Sequence, residues 1–127
     1  MAQDSPTCTN AGVEGSLVLE ARGDFLAGAP FMGPVVLIAE LAFSVNASGD
    51  GVISGYIAGS EDGTILTFAE GPVTGSYSVD ANCTGTATIT PNGKSELNFS
   101  FVIVDGGNEM LAIETEANTV VTGTLQR

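Results

Sequence analysis

The chain has 127 residues, with 15 acidic side chains against three basic ones and a formal charge of −12. A surface of that sign repels phosphate backbones and anionic headgroups, so nucleic acid and membrane surfaces are not expected as partners. Hydrophobic residues make up 43%, too many for a disordered chain, and one domain of this length buries about two-thirds of its unfolded surface.

Residues 1–14 read as a polar leader. Met1 to Pro6 carries neither a basic nor an apolar stretch and does not read as a signal peptide. It resembles a mature secreted terminus behind an initiator Met. Cys8 lies in this leader, and Cys83, the other cysteine, opens a later strand. A distant pair in a His-free chain is a poor metal site and no C-x-x-C redox pair, so a structural disulfide from an oxidising compartment is expected. Its role would be to pin the leader onto a body spanning residues 15–127. The expected location is secreted or periplasmic.

Seventeen Gly and five Pro punctuate the rest. The first strand is expected over Gly15–Arg22, with Leu17, Leu19 and Ala21 opposing Val18, Glu20 and Arg22. Gly23–Pro34, with Pro30 and Pro34 among Phe25, Leu26, Phe31 and Met32, reads as a loop over the body. Val35–Ala47 is the strongest strand, with Val35, Leu37, Ala39, Leu41, Phe43 and Val45 on one face and Glu40, Ser44 and Asn46 on the other. Ser48–Gly51 turns the chain into Val52–Gly59, and Glu61–Gly63 turns it into Thr64–Glu70.

Val73–Val79 and Cys83–Thr90 follow, the latter with Thr84, Thr86, Thr88 and Thr90 on a solvated face. Ser95–Val104 places Leu97, Phe99, Phe101 and Ile103 in register, and Glu109–Glu116 and Thr119–Gln126 close the chain. Eight or nine strands joined by tight turns make a meander, and a long meander loses its exposed edges by closing. The expected fold is all-β: a single-domain antiparallel up-and-down β-barrel of about eight strands.

The hairpin rhythm with its pinned leader resembles calycin-type barrels such as lipocalins, and the allene-oxide-cyclase-like barrels. The stretches Gly75-Ser-Tyr-Ser-Val-Asp-Ala-Asn-Cys-Thr-Gly-Thr86, Phe101-Val-Ile-Val-Asp-Gly-Gly107 and Thr119-Val-Val-Thr-Gly-Thr124 resemble small secreted bacterial barrel proteins. This resemblance implies a barrel that holds a small apolar molecule, or a cofactor-free cyclase, and carries over no catalytic residue.

An eight-stranded barrel is wide enough for its own side chains or for one small ligand. Leu41, Phe43, Phe68, Tyr77, Phe99 and Phe101 are the inward residues expected to line it, interspersed with Ala39, Gly55, Gly75, Gly85 and Ala87. Those small residues mark either room for a ligand or tight curvature filled by large neighbours. The favoured expectation is binding of a small hydrophobic molecule.

Without His, Ser-His-Asp and Cys-His machinery and His-based metal sites are excluded. No metal site and no cofactor is expected. Asn46–Gly51 mimics half a Ca²⁺ loop, but its twelfth position falls on Ile57, so it reads as a hairpin turn. The acidic turns at Glu61-Asp62 and Asp105–Glu109 could take Ca²⁺ only weakly.

Carboxylates and phenols remain. Glu40, Glu114, Tyr56 and Tyr77 are the catalytic candidates for a cofactor-independent isomerase or cyclase, the two tyrosines lying in strands expected to line the same interior. Parity turns Glu40 outward, since Leu41 takes the apolar face, and turns Glu114 outward against Leu111 and Ile113. Apolar second faces at Val36, Ile38, Ala42, Val102, Val104, Met110 and Ala112 point to a homo-oligomer contact, or to cover by the Phe25–Met32 loop. A structural or assembly role without ligand is the remaining alternative.

Overall fold

Strict alternation decides the architecture. In β2, Gly33–Val45, residues 35, 37, 39, 41 and 43 are buried and those between them are exposed. A strand with that pattern needs one wet and one dry side throughout its length. The computed structural model describes residues 7–25, 33–61, 64–65, 71–91, 93, 96–115 and 119–127. The other strands are β1 (Gly15–Phe25), β3 (Gly51–Glu61), β4 (Thr64–Ile65), β5 (Gly71–Val79), β6 (Thr84–Pro91), β7 (Leu97–Val104), β8 (Glu109–Glu114) and β9 (Thr119–Gln126).

Each long strand pairs antiparallel with the next long one, and β9 pairs with β1. The result is a closed eight-stranded up-and-down barrel; the two-residue β4 only extends the end of β3. Once round the barrel the registers advance by about ten residues, a shear that tilts eight strands by roughly 40–45°. Closure removes the exposed sheet edges of an open meander.

Two expectations change here. Gly23–Phe25 and Gly33–Pro34 are strand, not loop: Asp24 pairs with Pro34 and Phe25 with Gly33. Proline is tolerated at the opening of a strand, where its missing N–H removes little from the ladder. The strand expected over Thr64–Glu70 is seen over Thr64–Ile65, and residues 66–70 lie outside the described ones. The turn after β2 is a hairpin, as its sequence suggested. Asn46 Oδ1 accepts from the backbone N–H groups of Ser48 and Asp50, both at 3.0 Å.

The leader closes one end of the barrel. Residues Asn10–Val13 form a single 3₁₀ turn capped by Thr9, whose Oγ1 accepts from Gly12 N at 3.2 Å. Val13 is buried at the barrel mouth. Asn10 ties the leader to β5 and to the β2–β3 turn: its Oδ1 accepts from Val79 N at 2.8 Å, its Nδ2 donates to Gly49 O at 3.0 Å, and its carbonyl accepts from Tyr77 Oη at 2.8 Å. Cys8 and Cys83 stand at disulfide distance, with 5.0 Å between Cα atoms.

Candidate functional site

Leu41, Phe43, Tyr77, Phe99 and Phe101 all point into the barrel and are buried, as expected of lining residues. Phe68 lies outside the described residues. What the inward side chains leave between them is small. Among the described residues, the space bounded by Leu19, Leu41, Phe43, Ile53, Ile89 and Phe101 has a volume of about 20 Å³, room for about one water molecule and far below the roughly 300 Å³ or more of an ordinary small-molecule pocket.

The small residues explain that packing. Along one interior row Phe101 sits between Gly85 and Ala112, which is followed by Gly123 and Ala21. A Cβ on Gly85 would collide with the Phe101 ring, and one on Gly51 would lie 2.7 Å from Cδ1 and Cε1 of Tyr77. Glycine positions here hold neighbouring rings, so large and small side chains interdigitate instead of leaving a chamber.

The four acid and phenol candidates separate. Tyr77 is inside at 4% exposure, tilted against Phe43 at 4.7 Å between ring centres. Burial, and secondarily the nearby Glu14 carboxylate, push its phenol above the ordinary value of 10.0. Tyr56 is not an interior residue: it faces out at 59% exposure, directly across from outward-facing Glu40. Its parity follows from Ile53 and Ile57, which take the inner face of β3.

Glu114 also corrects its expectation. It points inward at 4% exposure, opposite Phe99. Met110 and Ala112 are buried with it, while Leu111 and Ile113 face solvent. Strand β8 is apolar on both faces, so hydrophobicity alone does not fix its phase. The tight Asp105–Gly107 turn and the pairing of Ile103 with Met110 do. The structure thus brings Tyr77 and Glu114 into the barrel and Glu40 and Tyr56 together on its outside.

The outer surface holds the larger depressions. A groove of about 720 Å³ runs over β6–β9, with Val102, Leu111 and Ile113 at its centre and Thr84, Thr86 and Thr124 along it. Val102 lies directly opposite Leu111, and Ser100 opposite Ile113. A second depression of about 260 Å³ lies over β1–β3, on the other side of the barrel. A third, of about 280 Å³, lies beside Cys8 and Cys83, where Thr9 and Gly12 of the leader meet the turn Asp105–Gly107. The sequence signal for the first groove was the two-faced hydrophobicity of β8.

No protein-family model, no curated protein and no solved structure matches the chain.

Proposed function

We propose that this protein is a rigid barrel of structural or assembly type, which associates through the outer groove over β6–β9 with a second copy of itself. The observation that carries the reading is the placement of Val102, Leu111 and Ile113. All three are about half exposed on adjacent strands. Their apolar surface gains by being covered, at roughly 25 cal/mol per Å² removed from water.

Binding of a hydrophobic molecule inside the barrel, or its conversion there, would need room. The 20 Å³ among the described interior residues favours the outer face instead. The cysteine pair at disulfide distance supports a secreted or periplasmic setting, where such a link persists.

Two bodies of charge −12 repel, so association should strengthen as salt screens them. Sedimentation velocity across a protein concentration series, at low and high salt, tests the reading. A dimer or higher oligomer favoured by salt, and lost in Leu111→Lys with an unchanged circular dichroism spectrum, is the expected result. A monomer at every concentration in high salt would sink it.

A further inference from the structure

Glu40 and Tyr56 face each other across the β2–β3 pair on the outside of the barrel. Side chains so placed have Cβ atoms about 5 Å apart. One step along the strands, Ala42 lies opposite Ser54 and also opposite Ser16 of β1. Ser16, Glu40, Ala42, Ser54 and Tyr56 enclose the 260 Å³ depression over β1–β3, with the backbone of Gly55 at its floor. Of these five side chains Ala42 is the smallest and Tyr56 the largest.

From this geometry we propose that the depression is a binding site for one sugar unit of a neutral glycan. The chemistry of the donor set selects that class. A pyranose presents an apolar C–H face and a rim of hydroxyls. The exposed Tyr56 ring offers a flat surface for the former, with a polar tip at its edge. The Glu40 carboxylate accepts hydrogen bonds from two adjacent hydroxyls, and charge-assisted bonds of that kind are stronger than neutral ones. Ser16 and Ser54 donate or accept on the opposite side.

Other occupants fit less well. A phosphate or uronate would meet Glu40 on a protein of charge −12. An apolar ligand would strip water from that carboxylate without replacing its hydrogen bonds. An extended peptide adding to the sheet needs a free strand edge, and β1, β2 and β3 are each paired on both sides. The site lies opposite the β6–β9 groove and does not depend on self-association.

Cellohexaose, xylohexaose and mannohexaose, each titrated to millimolar concentration into ¹⁵N-labelled protein, form the test. The expected result is saturable movement of the amide signals of Glu40, Ala42, Ser54, Gly55 and Tyr56 with at least one of the three, while those of Thr86, Val102 and Leu111 stay in place. Tyr56→Ala, an exposed substitution, should weaken binding about tenfold, and Glu40→Gln by a comparable factor. A galacturonic acid hexamer should bind less tightly than the neutral ligand. No movement over β1–β3 with any neutral hexamer overturns the proposal. So does an unchanged affinity in Tyr56→Ala, or tighter binding of the acidic hexamer.

Discussion

The ring of Phe101 occupies the place where a Cβ on Gly85 would stand, across the β6–β7 pair. The carbonyl oxygen of Ser78 crowds the same position from β5. Glycine at 85 is therefore a packing requirement, and the aromatic ring is its counterpart. Gly85→Ala should destabilise the barrel by about 2–4 kcal/mol, the range for overpacking combined with backbone displacement. Adding Phe101→Leu should recover only part of that loss, because the Ser78 carbonyl cannot move away as a side chain can. Urea denaturation of the two single variants and the double variant measures the coupling. Additive losses would mean that the ring and the glycine are not partners.

The same pair shows what could be read from residues alone. Alternation in β1, β2 and β7 places Leu19, Leu41 and Phe101 inside without a structure, because their second faces carry charge or hydroxyls at Glu20, Glu40 and Ser100. In β8 the rule has nothing to act on: Met110, Leu111, Ala112 and Ile113 are all apolar, and the tertiary register chooses. Whether Gly85 marked a chamber or a contact was equally hidden, since that depends on which strand lies opposite. Nor does sequence parity bring Ser16 of β1 beside Ala42 and Ser54. Only the registers of two strand pairs do that.

Cys8 and Cys83 are 75 residues apart. In the chain-entropy account, closing a loop of that length contributes about 4–5 kcal/mol through the unfolded state. Cys8→Ser together with Cys83→Ser should lower the urea midpoint accordingly and steepen the slope, because the unfolded chain without the link is less compact and exposes more surface. A reducing agent should reproduce the effect in the unmodified protein and have none in the double variant. A midpoint that reduction leaves unchanged would show that the link contributes nothing.

Tyr77 couples the leader to alkaline pH. Its hydroxyl donates to the Asn10 carbonyl at 2.8 Å, and burial followed by Glu14 holds the phenol protonated beyond its ordinary range. Above about pH 10 the unfolded chain gives up this proton while the folded one keeps it. The unfolded state then binds fewer protons, so stability falls with rising pH until the folded-state phenol also ionises. Below that window the contribution is fully present. Tyr77→Phe should cost about 1 kcal/mol at neutral pH for the lost hydrogen bond, and should flatten the decline above pH 10. Parallel pH–stability curves for both proteins would remove Tyr77 as the cause.

Arg127 fastens the other side of the leader. Its Nη1 donates to the Glu14 carbonyl at 2.6 Å, its Nη2 to Gly12 at 3.4 Å and its Nε to Gly107 at 3.2 Å. The guanidinium can reach three carbonyls at once because it is planar and carries donors on several edges. It also fills the space a Cβ on Gly15 would take. The group is exposed, so water competes for each bond and the net effect is modest. Arg127→Ala should lower stability by about 1 kcal/mol. Arg127→Lys keeps the charge but offers a single donor centre, and should recover less than half of that loss. If charge alone held the leader, through the acids around it, lysine would restore full stability; the three carbonyl acceptors argue that shape decides, and the urea midpoints of the two variants separate the possibilities.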